Sequence, residues 1–295
     1  MKVAVTGGTG FLGQHVVEKL RKNGDDVVIL SRKSLPGTIQ TDYSIESLTP
    51  IFNDVDAIVH LAAKRGSQGK KREFQDNEVL TQTLYDAALE NNIKNVVYAS
   101  TISVYSGEET LPWSEKTLPR PPLMYGVSKL TCEMIGNLYN DKNGMRIKNL
   151  RLAHLYGPNE QNNYMINLFF RQAFKNEILT LNTQSTAKRE FLYVKDAAEA
   201  IIKALKRPSQ KGTYNIGSGV ILTNEEVADK INQVFINHDH LEVVHPERPD
   251  TSVSSYMDNQ LAEAVLDFKP QYTFEQALLE IFKDLKEQDD VPIYY

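Results

Sequence analysis

The chain has one cysteine, Cys132, in 295 residues, so an internal disulfide is excluded. Its six histidines are scattered without the paired Cys or His spacing of a structural zinc site. No uninterrupted apolar run approaches the ~18 residues of a membrane span, so no membrane partner is expected. The first residues enter a strand-like run, Val3 to Thr6, without the charged and apolar segments of a secretory leader. A basic surplus is missing too. The 33 Lys plus Arg stand against 38 Asp plus Glu, a net charge of -5, and nothing suggests nucleic acid as a partner. A cytoplasmic protein in a reducing compartment is the expectation.

What is present is an alternation. Short β-branched runs recur at Val3 to Thr6, Val27 to Leu30, Ala57 to Leu61, Val96 to Ser100 and Ile147 to Leu152. Helix-like patterns lie between most of them, at Gln14 to Lys22, Glu73 to Asn91 and Tyr125 to Asn143. This predicts an α/β protein, a Rossmann-type doubly wound parallel sheet. From about residue 155 the pattern loosens, with Gly157-Pro158-Asn159 and then a helical run from Met165 to Asn176. Phe191 to Leu205 reads as strand, turn and helix, Tyr214 to Ile216 as a strand, and Asn224 to Phe235 as a helix opened by an Asn224 cap. A smaller, partly interleaved α/β substrate-binding region is therefore expected. The division is 1–155 plus about 189–218 for the dinucleotide-binding domain, with about 156–188 plus 219–295 for the second region. Glu287 to Tyr295 reads as a polar tail.

Directly after the first strand comes Thr6-Gly7-Gly8-Thr9-Gly10-Phe11-Leu12-Gly13, followed by a helix. Glycines at 7, 10 and 13 permit a tight turn and close backbone approach to a pyrophosphate, which the helix amino terminus attracts. Thr9, Phe11 and Leu12 complete this cofactor loop. At the end of the second strand a carboxylate would hold a ribose 2′-hydroxyl. The chain has Ser31-Arg32-Lys33 there, and Ser31 with Arg32 suit a 2′-phosphate. NADP(H) is favoured and NAD(H) is possible.

The fourth strand runs into Tyr98-Ala99-Ser100-Thr101-Ile102-Ser103, and Tyr125-Gly126-Val127-Ser128-Lys129 follows. With the opening glycines, these residues resemble the extended short-chain dehydrogenase/reductase family, which contains nucleotide-sugar epimerases, dehydratases and reductases. Tyr125 and Lys129, at i and i+4, share one helix face. The resemblance implies that Tyr125 exchanges a proton with the substrate oxygen, that Lys129 binds the nicotinamide ribose, and that Thr101 hydrogen-bonds the reacting oxygen. By the same resemblance Leu61-Ala62-Ala63 after His60 and also Ser100 line the cofactor, Asp42-Tyr43 meet the adenine, and Asn77 steadies the site. Arg189 and Arg248 would clamp a diphosphate, Ser103 would face the sugar, and His154, standing where the family has Asn, would donate a hydrogen bond to the sugar or phosphate of the substrate. The implied partner is a nucleotide-diphosphate sugar, and a homodimer would form through the helices holding Asn77 and Tyr125.

Ile102 and Ser103 occupy the positions where the family's dehydratases carry Asp-Glu, and Ser103 stands where its fucose-synthase-like epimerases carry Cys. What remains is 4-keto reduction, favoured because cellular NADPH is kept reduced, or C4 epimerisation with tightly bound NAD(P). A regulatory protein that binds a dinucleotide without turnover is the reading from a different class.

Overall fold

The computed structural model describes residues 1–65, 71–107, 110–160, 162, 164–238, 241–248 and 251–288. From the amino end, β1 (Lys2–Thr6) leads through the glycine loop into α1 (Phe11–Lys22). Next come β2 (Asp26–Ser31), β3 (Ile39–Gln40), α2 (Ile45–Phe52), β4 (Ala57–His60), α3 (Lys71–Glu90), β5 (Asn95–Thr101), α4 (Met124–Lys142) and β6 (Arg146–Leu152). The remainder is β7 (His154–Tyr156), α5 (Met165–Phe174), β8 (Leu179–Leu181), β9 (Arg189–Tyr193), α6 (Val194–Leu205) and β10 (Gly212–Ile216). It ends with β11 (Ile221–Leu222), α7 (Asn224–Phe235), β12 (Leu241–Val243), α8 (Gln260–Leu266) and α9 (Phe274–Gln288).

The main sheet has the order β10-β6-β5-β4-β1-β2-β3, parallel at every pairing. β4 and most of β1 and β5 are buried, which is why they read as continuous rather than alternating apolar runs. One face packs on Val16, Val17 and Leu20 of α1 and Ile201 and Leu205 of α6. The other packs on Leu48 and Phe52 of α2, Leu84 of α3 and Cys132 of α4. Strand order reverses between β1 and β4, the point where a crevice opens at the carboxyl ends of such a sheet. A Cβ on Gly13 would lie 2.1 Å from the Gly7 carbonyl oxygen, so glycine there lets α1 seat against the loop.

A separate apolar cluster joins α5, α7 and α9 to the small sheet β11-β9-β7, with Phe170, Phe235 and Phe274 inside it. Two features differ from the expectation. The cap of α7 is Thr223, which accepts from Glu226 N while the Glu226 carboxylate accepts from Thr223 N, so Asn224 is the first helical residue. Glu287 belongs to α9, which runs to Gln288, and the rest of the expected tail lies outside the described residues.

Lys148 on β6 is fully buried, and its ammonium donates to Asn95 Oδ1 at 2.7 Å and to the carbonyls of Arg146 and Arg207. Burial pulls it down to about 7, with the Arg146 charge acting in the same direction. Between that value and its ordinary 10.5 the unfolded chain binds more protons, so stability rises with pH across this window. Lys148→Met is expected to remove on the order of 2 kcal/mol of that rise. Urea unfolding of both proteins near neutrality and again roughly two pH units higher checks this; an equal rise in both would refute it.

Candidate active site

The site begins where β5 ends. Thr101 is the last residue of that strand and caps the short 3-10 turn Ile102–Val104, its Oγ1 accepting from Ser103 N at 3.2 Å and donating to Ser103 Oγ at 3.2 Å. The first turn of α4 presses against this turn. A Cβ on Gly126 would stand 2.2 Å from the Ser103 carbonyl oxygen, so glycine after Tyr125 allows the approach. The Tyr125 ring lies 6.1 Å from that of Phe74. Burial pushes the phenol up to about 12, while the Arg65 guanidinium and the Thr101 hydroxyl act to lower it.

Lys129, one turn along α4, is buried, with its ammonium 4.3 Å from the Tyr98 ring centroid and donating to the Ala99 carbonyl. Burial brings it down to about 8. One further turn along, Glu133 was not singled out in the sequence. Its carboxylate accepts from Arg151 Nε at 3.0 Å and Nη2 at 2.6 Å, and also from Ser100 Oγ. Arg151 continues to the Tyr105 hydroxyl at 2.7 Å, which donates to Asn215 Oδ1 at 2.8 Å. This buried network ties α4 to β5, β6 and β10 directly beneath Thr101 and Lys129. Ser100, expected to line the cofactor, is one of its members.

The residues expected to hold a dinucleotide lie along the carboxyl ends of β1, β2 and β4. Gly10 N donates to the Gly7 carbonyl at 3.0 Å, while Phe11 is buried and Leu12 packs inward. α1 has no side-chain cap at Gly10 and no acidic residue in its first turn, so its amino terminus keeps its positive end for an anion. Thr9 is exposed beside it. That cradle fits a pyrophosphate. Ser31 Oγ accepts from Lys33 N at 3.0 Å, and exposed Arg32 stands 5.8 Å from the centroid of the Tyr43 ring. Asp42 is engaged locally, accepting from Ser44 N at 2.9 Å and Ser44 Oγ at 2.8 Å, and these contacts hold it down to about 2. Leu61 N and Ala62 N donate to Thr6 Oγ1, and Ala63 follows on the same half-buried segment.

His60 is a satisfied core residue. It contacts Thr6 Oγ1 at 2.8 Å and Thr81 Oγ1 at 3.0 Å, and burial drives it down to about 3. Asn77 accepts from Lys64 N at 2.7 Å and donates to Ser128 Oγ at 3.3 Å, bracing the segment after β4 against α4.

In the second region, an open cavity of about 390 Å³ is walled by Arg189, Asn182, Thr183, Ser185, Asn224 and Leu168. Ser185 Oγ and Asn224 Oδ1 are buried there without a hydrogen-bond partner among the described residues, which suits a polar ligand. Nothing local in the sequence marked Ser185, and Asn224 was read only as a helix cap, because topology alone brings them together on one cavity wall. His154 Nε2 lies 3.0 Å from Ser255 Oγ, and burial, with the Arg189 charge, lowers it to about 4, so the imidazole is neutral. Arg248 stands on an exposed turn beyond β12, its Nε 3.9 Å from Glu247, while Arg189 is on the cavity wall.

The sequence profile of the NAD dependent epimerase/dehydratase family matches residues 3–217. Across 100% of each chain, the protein is 58% identical to the crystal structure of a UDP-N-acetylglucosamine 4-epimerase from Bacillus cereus, with a TM-score of 0.93. A UDP-glucose 4-epimerase of Thermus thermophilus, solved in complex with NAD, is 25% identical over 97% of this chain and 99% of its own, with a TM-score of 0.82. An uncharacterised UDP-glucose epimerase of Bacillus subtilis is 32% identical over 74% of this chain and 77% of its own.

Proposed function

We propose, for a chain that belongs to the NAD dependent epimerase/dehydratase family, that it inverts C4 of a UDP-linked hexose, with an N-acetylated hexosamine as the first candidate. The observation that carries this reading is the full-length 58% identity to a UDP-N-acetylglucosamine 4-epimerase. It favours epimerisation over the net 4-keto reduction that the cofactor argument preferred. An epimerase returns its hydride, so the redox state of the NADPH pool does not drive it.

A bound nicotinamide would accept the C4 hydrogen as hydride and return it to the opposite face of the resulting ketone. Gly7 to Gly13, Arg32, Leu61 to Ala63 and Lys129 would hold the dinucleotide. Tyr125 takes the 4-hydroxyl proton as hydride leaves C4, and gives it back when hydride returns. Thr101 hydrogen-bonds the same oxygen throughout, and Lys129 supplies positive charge near it. Arg189 on the wall of its cavity would pair with the diphosphate.

Incubating the protein with UDP-N-acetylglucosamine and with UDP-glucose, and following the anomeric proton signals, tests the reaction. Appearance of the C4 epimer without net change in nicotinamide absorbance supports it. Stoichiometric NADPH oxidation by a 4-keto nucleotide sugar, with no epimer formed, sinks it in favour of reduction.

The finer cofactor reading rests on Arg32. The wild-type protein is expected to bind NADPH more tightly than NADH, and Arg32→Asp to reverse the preference by about tenfold or more through charge repulsion with the 2′-phosphate. Calorimetric titration with each cofactor checks this, and tighter NADH binding by the wild type overturns it. We also read Val79 on α3 with Met134 and Leu138 on α4, all exposed apolar residues, as a self-association face. The mass in solution is its test.

A further inference from the structure

The stretch Ser252 to Asn259, between β12 and α8, is stitched to both sides of the site. Toward β9, Ser255 N donates to the Lys188 carbonyl at 2.8 Å and the Ser255 carbonyl accepts from Glu190 N at 2.9 Å, a backbone pairing that brackets Arg189. Toward the segment that joins the catalytic turn to α4, the Tyr256 carbonyl accepts from Trp113 N at 3.0 Å, and Asp258 N donates to the Trp113 carbonyl at 2.8 Å. Along the stretch, Ser252 walls the Arg189 cavity and Ser255 Oγ meets His154. Glu190 fixes its far end. Successive strand residues point to opposite faces, and where Arg189 is on the cavity wall, Glu190 is fully buried. Its carboxylate accepts from Met257 N at 3.0 Å, Gly219 N at 2.9 Å and Asn259 Nδ2 at 3.2 Å. A Cβ on Gly217 would stand 2.0 Å from Glu190 Oε1, so glycine there makes room for the carboxylate.

We propose that Glu190 is a positioning residue for substrate binding: by holding Met257 and Asn259 it keeps Ser252 to Ser255 in register with β9, and so sets Ser252 on the cavity wall beside Arg189 and Ser255 against His154. The proposal rests on the reading of the Arg189 cavity as the diphosphate site. A buried carboxylate is costly unless N–H donors meet it, so once β9 is packed the three donors have little freedom to move. They come from two separate segments, the turn after β10 and the stretch before α8, and Glu190 joins both to the strand that carries Arg189. Glu190 itself faces away from the ligand, and its contribution is placement.

Glu190→Gln keeps the size of the side chain but turns an NH2 group toward N–H donors that need an acceptor. The full-length wild-type and variant proteins are titrated calorimetrically with UDP and with NAD⁺, and their steady-state epimerisation is followed. The variant is expected to bind UDP about tenfold more weakly and to raise KM by a similar factor, with kcat within about threefold of wild type and NAD⁺ binding unchanged. Asn259→Ala, which removes one donor to the same carboxylate, is expected to weaken UDP binding by about threefold, and it serves the comparison if the glutamine variant does not fold. Lower activity with unchanged KM and unchanged UDP affinity is the result of a structural role alone, and it overturns the proposal while leaving the cavity assignment intact. Failure of the wild-type protein to bind UDP overturns the cavity assignment and the proposal together.

Discussion

Replacing Tyr125 with phenylalanine is expected to lower turnover by ~10³-fold while leaving dinucleotide binding nearly unchanged. The substitution removes one oxygen at a half-buried position and keeps the ring near Phe74, so packing survives. With the phenol pushed up to about 12 by burial, the wild-type base is scarce near neutrality. The rate of C4 oxidation should therefore climb as pH rises through the neutral range, and that climb should vanish in Tyr125→Phe. Single-turnover measurements with the cofactor in place check both points. Wild-type turnover in the variant would remove Tyr125 from the mechanism, and loss of the dinucleotide would make its role one of binding.

Glu133→Ala is expected to lower the unfolding free energy by roughly 3–5 kcal/mol, the range for removing one partner of a buried ion pair. The side chains of Arg151 and Glu133 are 5% and 2% exposed, so water cannot replace the lost carboxylate. Arg151 would be left charged in the core with Tyr105 as its remaining strong contact, and Ser100 would lose its acceptor. Denaturant unfolding of the variant measures the effect. A loss under about 1 kcal/mol, the scale of exposed pairs, would mean that the network is not what holds α4 against β5 and β6. Because Lys129 precedes Glu133 by one turn, residual activity should fall by more than the folded fraction alone explains.

The parts of the molecule that were legible in the sequence are those set by local periodicity. Strands β1, β2, β4, β5 and β6 announced themselves as β-branched runs, and α1 and α4 as helical patterns with the glycine loop and the Tyr125-Lys129 spacing attached. β3 was not visible because two residues, Ile39–Gln40, carry no period, and α2 was hidden by Pro50 inside it. Glu133 sits at the helical spacing after Lys129 and was open to detection, yet its partner Arg151 becomes adjacent only once β6 pairs with β5. Ser185 and Asn224 belong to separate elements and converge only in the folded second region. The Asn224 cap failed because two adjacent polar residues compete for one position, and the reciprocal bonds with Glu226 select Thr223.

The place of β10 in the sheet has a consequence for synthesis. Strand β6 borders β5 on one side, and its other edge is filled by β10, which emerges only after β7, β8, β9 and their helices. Until then β6 presents open backbone groups to any passing strand. Asn215, the acceptor for Tyr105, arrives on the same late strand. The nascent chain can thus assemble its cofactor cradle early, but the layer beneath Thr101 and Lys129 locks only when residues 212–216 emerge.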